Sequence, residues 1–158
     1  MSKSRRPKYE TTLHVRDHCL CLHSQRAARA LARHFDEAFR PLGITSGQFS
    51  LLMSLNRPDP PTMGAVASLL AMDRTTLTAA LKPLERRGLL AVTPDPTDRR
   101  ARRLALTDAG RALLVPATRI WCATHDALDR QLADSLANGG GDGLREGLQA
   151  LSAALSSG

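Results

Sequence analysis

Arginines crowd a short polar segment in the second half of the chain. Four of five consecutive positions carry one: Arg99, Arg100, Arg102 and Arg103. Guanidinium groups pair with phosphates and enter narrow minor grooves of duplex DNA, where negative potential is concentrated. Ordinary solvated surface charge is the alternative interpretation, so the elements around the cluster must decide between the two.

A second polar group lies upstream, on a stretch with helical periodicity. Arg74, Thr75 and Thr78 are spaced so that a helix places them on one exposed face. Thr76 and Lys82 belong to the same predicted helix. Arginine can donate two hydrogen bonds to guanine, and threonine offers a hydroxyl and a methyl group suited to phosphate or thymine. A solvated helix face would carry the same residue types.

Three cysteines supply the remaining reactive groups. Cys19 and Cys21 fall near the start of a long predicted helix, and Cys122 lies on a late one. The basic N-terminus is not followed by an apolar export stretch, so we expect free thiols in a reducing compartment. Basic neighbours such as Arg16 favour a reactive thiolate at Cys19. The simpler alternative treats all three cysteines as small buried apolar residues.

Histidines near the first cysteine raise the question of a metal site. His14 with His18, and Cys19 with His23, are four-residue pairs that a helix brings together. The pairs point at least about a third of a turn apart, which disfavours one tetrahedral site on a straight helix. We therefore predict no metal and no cofactor. Because neither a phosphate-binding glycine loop nor an activated nucleophile is recognisable, we also expect no enzyme.

Helical periodicity accounts for most of the chain. Apolar and small residues recur at three- and four-residue steps from Leu13 to Leu42, which predicts one long amphipathic helix. Capping residues start the further predicted helices: Thr45 or Ser46 for the first of them, then Thr62, Asp73 and Thr107 in chain order. A last helix is predicted after a flexible Asn138–Gly141 link.

The region 45–106 combines short helices with a predicted β-hairpin. The helices capped by Thr62 and Asp73 are joined by a turn of a few residues, the outline of a helix-turn-helix. Short strands are predicted at 89–93 and 103–106, on either side of the polar tip. A winged helix-turn-helix inserts its second short helix into the major groove and its hairpin tip into an adjacent groove. This order of elements favours DNA contact for both polar groups.

Composition restricts the partner. The 158 residues carry a formal net charge of +7, which attracts polyanions. With one Trp, one Tyr and three Phe, the chain lacks the stacking platform of single-strand and RNA binders, so duplex DNA is favoured. No apolar run approaches the roughly 20 residues that span a bilayer. We therefore expect a soluble, cytoplasmic protein with no membrane partner.

Four motifs together resemble the MarR family of transcriptional regulators. They are the runs MDRTTLT at 72–78, LERRGL at 84–89, DPTDRR at 95–100 and LTDAG at 106–110. The resemblance covers residues 20–135 and implies a mainly α fold with a small β-hairpin. The implied architecture is a winged helix-turn-helix with long N- and C-terminal dimerisation helices.

The resemblance also implies an obligate homodimer. Residues 13–42 and 107–158 would form its dimerisation helices around a DNA-binding lobe at 45–106, and residues 1–12 are predicted to be a flexible basic arm. The two lobes would bind a palindromic operator with half-sites about one helical turn apart. A small aromatic ligand or thiol oxidation would release a repressor from that operator. A nonspecific architectural DNA-binding protein is the alternative function.

The first cysteine segment is similar to the organic-hydroperoxide-sensing OhrR branch of the family. Cys19 matches the position of the sensing thiol, and Cys122 lies on the late helix where some relatives carry a second cysteine from the other subunit. The resemblance therefore implies a redox sensor at Cys19 and Cys122. The predicted DNA-binding residues are Arg74, Thr75, Thr76, Thr78, Lys82, Arg99, Arg100 and Arg102.

Overall fold

Helices form most of the protein, and one antiparallel hairpin completes it. The computed structural model describes residues 6–136 and 139–156. In chain order the elements are α1 (Tyr9–His18), α2 (Leu20–Phe39), a 3-10 turn (Arg40–Leu42), α3 (Ser46–Ser54), α4 (Met63–Leu69), α5 (Arg74–Arg86), β1 (Leu90–Pro94), β2 (Arg102–Leu106), α6 (Asp108–Ser135) and α7 (Gly140–Ser156). The predicted fold class, mainly α with a small β-hairpin, is confirmed. Within the described ranges, no helix is both long and apolar enough to cross a bilayer.

Polar caps start the four helices that were predicted from them. The side chains of Thr45, Thr62, Asp73 and Thr107 each accept a hydrogen bond from a backbone N–H in the first turn. Such bonds satisfy N–H groups that have no partner within the helix. The predicted starts of α3, α4, α5 and α6 are therefore confirmed.

One apolar core joins the helices to the hairpin. Phe39 of α2, Leu52 of α3, Leu77 and Leu84 of α5, and Leu104 of β2 are all fully buried. Because α5 and β2 contribute to the same core, the core holds the hairpin in a fixed position relative to α5.

The hairpin is also attached to the segment that leads into α4. β1 and β2 pair in an antiparallel register, with Leu90 opposite Leu106. On the other side of β2, the amide of Leu104 donates to the carbonyl of Pro61 at 3.0 Å. β1 begins and ends one residue later than predicted, and β2 begins one residue earlier than predicted. The tip of the hairpin therefore extends from a base that is bonded on two sides.

The start of α6 packs closely against the turn between α5 and β1. The hydroxyl of Thr107 donates to the carbonyl of Gly88 at 2.6 Å, and the amide of Thr107 donates to the carbonyl of Leu89 at 3.2 Å. A Cβ on Gly110 would overlap the same Leu89 oxygen. Glycine at position 110 is thus required by close backbone approach.

The prediction of a single long helix from residue 13 is wrong, because the helix is interrupted at Cys19. The backbone of Cys19 is extended, with φ −75° and ψ 105°, so it ends α1 and caps α2. Its Sγ accepts a hydrogen bond from the amide of Leu22 at 3.4 Å, and the ring of His23 bonds the carbonyl of Asp17 across the break at 3.2 Å. These local bonds replace the helical ones.

α1 begins at Tyr9, so the predicted flexible arm is wrong for residues 9–12, and residues 1–5 lie outside the described residues.

The predicted glycine link is also wrong in part. Gly140 and Gly141 belong to α7 and are buried, whereas Asn138 lies outside the described residues. A Cβ on Gly140 would press on Ala133, and one on Gly141 would overlap the carboxylate of Asp129. The two glycines therefore let α7 approach α6 closely.

Candidate nucleic-acid interface

α5 has one buried face and one exposed face. Leu77, Leu81 and Leu84 recur at helical spacing and pack into the core. The exposed face forms one shallow concave surface, lined by Arg74, Thr75, Thr78, Ala79 and Lys82. The structure therefore brings together four of the five residues predicted on this helix and adds Ala79, whose small apolar side chain gave no signal in the sequence.

Thr76 differs from the other predicted residues of α5. Its amide and its hydroxyl both donate to the carboxylate of Asp73, at 2.8 and 2.6 Å. These bonds, the hydroxyl first, hold the pKa of Asp73 below its usual range. Thr76 thus completes the helix cap, and its hydroxyl proton is already used there.

A buried carboxylate organises the tip of the hairpin. Asp95 is only 5% exposed, and one of its oxygens accepts hydrogen bonds from the hydroxyl of Thr97 at 2.7 Å and from the amides of Thr97 and Asp98 at 2.8 and 3.0 Å. Nε of Arg103 donates to the other oxygen at 2.5 Å. These bonds, those from Thr97 foremost, hold the pKa of Asp95 well below its usual range. Asp95 thus orients Arg103 through a charged hydrogen bond.

The four clustered arginines divide into two roles. The guanidinium of Arg103 is hydrogen-bonded within the protein, because it donates to the carboxylate of Asp95 and, from Nη1, to the carbonyl of Pro60 at 2.8 Å. Arg99, Arg100 and Arg102 are exposed, and no ion pair involves them among the described residues. The hairpin therefore presents three arginines to a partner, held in place by the fourth.

The exposed face of α5 and the hairpin meet at a cleft. Its lining comes from the start of α4, from α5 and from β2: Thr62, Met63, Gly64, Arg74, Arg100, Ala101 and Arg102. The guanidinium of Arg74 leans toward α4, since its Nη2 lies 3.8 Å from the position of a Cβ on Gly64. The two polar groups predicted from the sequence thus share one surface.

The cysteines lie apart from this surface: Cys19 between α1 and α2, Cys21 on α2 and Cys122 on α6. Cys19 is half-buried, whereas Cys21 and Cys122 are exposed. The alternative in which all three pack in the core is therefore wrong for the latter two.

The rings of His14 and His18 stack with centroids 4.2 Å apart. Over residues 6–136 and 139–156, no three His, Cys, Asp or Glu side chains are grouped to hold a metal ion.

The helices at the two ends of the chain leave apolar surface uncovered. α1 has no buried residue, and α2 buries only Phe35 and Phe39. An open groove between α2, α6 and α7 is lined mainly by apolar side chains: Ala27, Ala30, Leu31, His34, Leu128, Gln131, Leu132 and Leu144. Such a contiguous exposed apolar surface is typical of an interaction site.

Comparison with known proteins identifies the family that shares this sequence and this fold. Residues 44–101 match the MarR family model. The DNA complex of the Mycobacterium tuberculosis transcriptional regulator MosR has a TM-score of 0.74 and 33% identity to this chain, over 88% of this chain and 97% of that chain. The chain belongs to the MarR family. Members of the MarR family are transcriptional regulators and not enzymes.

Two further relatives of this MarR-family chain are informative. The transcriptional repressor CouR, solved bound to a 23-mer DNA duplex, has a TM-score of 0.67 and 30% identity over 90% of this chain and 95% of that chain. The transcriptional activatory protein BadR of Rhodopseudomonas palustris is 38% identical over 72 residues, which are 44% of this chain and 41% of BadR. The chain therefore spans about half the length, or less, of the curated relatives it matches.

Proposed function

We propose that this MarR-family chain is a homodimeric transcriptional repressor that binds duplex DNA in a sequence-specific manner. In this proposal α5 enters the major groove and the tip of the hairpin enters the adjacent minor groove. The observation that carries it is the cleft where Arg74 meets Arg100 and Arg102, because it sets the two cationic groups side by side on one surface. The relatives MosR and CouR were both solved in complex with DNA, which supports DNA binding by this chain.

The two elements would contribute different contacts. Thr75 and Thr78 lie on the first half of α5, and Lys82 lies one turn further along. The hydroxyl of Thr78 donates to the carbonyl of Arg74 at 2.7 Å, so Thr78 would offer base edges its methyl group and its oxygen as an acceptor. Arg99 would enter the minor groove, whose negative potential favours arginine. Arg100 lines the cleft beside Arg74 and would contact the DNA from there. Thr76 would act through the cap of α5 rather than by direct contact.

A second copy of the chain is the partner that fits the uncovered apolar surface of α1, α2 and α7. Leu20 is 69% exposed and Leu155 is 78% exposed, which is unfavourable for a side chain that remains in water. In a two-fold dimer the same surface on both copies becomes buried. The dimer also doubles the number of DNA contacts and specifies a palindromic operator.

An aromatic or acyl ligand is the first proposed effector. The apolar groove between α2 and α6 adjoins an arginine row, since Ala27 and Ala30 line both the groove and the surface that carries Arg26, Arg29 and Arg33. A ligand with an apolar body and an anionic end matches this combination. The CouR of Rhodococcus jostii RHA1, which shares the fold at 24% identity and a TM-score of 0.69 over 85% of this chain and 92% of that chain, has been solved with p-coumaroyl-CoA.

Thiol oxidation is the second proposed effector mechanism. The Sγ of Cys19 accepts a hydrogen bond from the amide of Leu22 at the start of α2, which fixes the position of the thiol. The thiolate would attack a hydroperoxide, which leaves as an alcohol while Cys19 becomes a sulfenic acid. Condensation of the sulfenic acid with Cys122 of the partner subunit would then release water and form a disulfide.

The test of the proposed function is a comparison of two duplexes. A duplex enriched from a random library by the reduced protein is titrated by fluorescence anisotropy beside a scrambled duplex of the same composition at the same salt. We expect the enriched duplex to bind about a thousand-fold more tightly or better, as specific regulators do. Equal binding to both duplexes would contradict the proposal and favour the architectural alternative.

A further inference from the structure

We propose that Arg74, Arg100 and Arg102 form one anion site that binds a single backbone phosphate of DNA at the junction of α5 and the hairpin. This inference rests on the proposed DNA-binding function. It changes the role of Arg74 from a residue that recognises guanine to one that positions the DNA backbone.

The geometry of the cleft brings the three side chains together from two elements. Arg74 is the first residue of α5, while Arg100 and Arg102 flank Ala101 where β2 begins. The guanidinium of Arg74 lies next to Gly64 of α4, because its Nη2 is 3.8 Å from the position of a Cβ on that glycine. Gly64 also lines the cleft, so the charged end of Arg74 lies beside a lining residue, although Arg74 lines the exposed face of α5 as well.

The charges in this cleft are not compensated by the protein. No carboxylate lines it, and within residues 6–136 and 139–156 none of its three arginines is in an ion pair. The acidic neighbours in sequence have other partners: Asp73 accepts from Thr76, and Asp98 accepts from the backbone amide of Arg100. Several guanidinium groups around one cavity match the oxygens of a phosphate, which accept charge-assisted hydrogen bonds.

The cleft is held in shape before any ligand arrives. Arg103, adjacent to Arg102, donates to Asp95 at 2.5 Å and to the carbonyl of Pro60 at 2.8 Å, and so fixes β2 against the segment that leads into α4. A preorganised site loses less conformational entropy on binding. A phosphate bound here would connect the two DNA-contacting elements and set the register of α5 in its groove, without reading the sequence.

The test compares Arg74→Ala and Arg102→Ala with Arg119→Ala, a control at an exposed position of α6. Each variant is titrated against the enriched and the scrambled duplex between about 50 and 200 mM salt. We expect both cleft variants to lose affinity for the two duplexes by the same factor. The slope of log affinity against log salt should also shrink by about 0.9 for each phosphate that the variant no longer neutralises. Arg119→Ala should change neither quantity.

Two results with DNA would overturn the inference. A loss confined to the enriched duplex would assign Arg74 to base recognition, and an unchanged salt slope would remove the phosphate from the cleft. The double variant of Arg74 and Arg102 adds a third criterion. Because the two residues share one phosphate, its loss of affinity should be smaller than the product of the single losses, whereas a full product would mean two separate phosphates.

Inorganic phosphate separates failure of this inference from failure of the proposed function. Phosphate is titrated into the DNA-free protein while the amide signals of Gly64 and Ala101 are followed by NMR. We expect saturable shifts of both signals in the wild-type protein and their loss in the double variant of Arg74 and Arg102. If the wild type binds neither duplex but gives these shifts, the anion site stands without the DNA function. If the wild type gives no saturable shifts, the site is refuted even if DNA binds.

Discussion

Replacing Gly110 by alanine tests the packing that joins α6 to the DNA-binding lobe. A Cβ at this position would overlap the carbonyl oxygen of Leu89, which also accepts a hydrogen bond from the amide of Thr107 at 3.2 Å. The backbone must shift to accommodate the methyl group. We expect about 1–3 kcal/mol of strain, together with about 1 kcal/mol for the weakened hydrogen bond. The free energy of unfolding should therefore fall by about 2–4 kcal/mol.

The same substitution at Gly147 is the matched control. Gly147 lies within α7, and a Cβ there would meet nothing within 4 Å. Alanine is a better helix former than glycine, so Gly147→Ala should raise the free energy of unfolding by about 0.5–1 kcal/mol.

The assay is urea unfolding, followed through the fluorescence of Trp121, the single tryptophan. All proteins are compared at one protein concentration, because the stability of a dimer depends on it. Opposite signs for the two glycines are the expected result. If Gly110→Ala were as stable as the wild-type protein, the close approach of α6 to Leu89 would be refuted.

Four further predictions concern the interface and its regulation. The hydrogen bonds of Asp95 favour its ionised form, so they stabilise the folded hairpin fully at pH values above the ordinary carboxyl pKa of about 4. This stabilisation is lost as the pH falls toward the depressed pKa of the folded state. Proteolysis of the hairpin should therefore increase at low pH in the wild-type protein, and the Asp95→Asn variant should lack this pH dependence. Arg100→Ala should weaken DNA binding about ten-fold or more in anisotropy titrations, whereas Arg119→Ala should not. Cys19→Ser should abolish release of DNA by organic hydroperoxide, and persistent release would exclude this thiol as the sensor. Leu155→Asp should shift the protein toward monomer in sedimentation analysis, and an unchanged dimer would place the interface elsewhere.

Helix starts were the most predictable part of the fold, because a cap is a local interaction. The side chain of Thr45 or Asp73 bonds an amide three residues later, so the sequence contains both partners. The break at Cys19 was not predictable in this way. A thiol is an uncommon cap, and the ring of His23 reaches back six residues to the carbonyl of Asp17 only once the break exists.

Glycines and arginines were ambiguous for a related reason, since their roles depend on distant parts of the chain. Gly140 looked like part of a flexible link, yet the missing Cβ serves close packing on Ala133. The arginine cluster was recognised as a unit, but nothing local distinguishes Arg103, which bonds a buried carboxylate eight residues away, from the exposed Arg102. Residue types predicted the chemistry of the surface, and tertiary contacts decided which side chains remain free.

The short connection between β2 and α6 joins the proposed dimerisation helix to the proposed DNA-binding lobe. β2 ends at Leu106 and α6 begins at Asp108, so α6, which the family resemblance assigns to the dimer, follows the hairpin after one residue. That residue, Thr107, bonds the carbonyls of Gly88 and Leu89 in the turn after α5. A displacement of α6 would therefore move α5 and the hairpin together as one body. In a dimer, an effector bound near α2 and α6 is then expected to change the separation of the two lobes, and hence the fit to half-sites, while the geometry within each lobe is preserved.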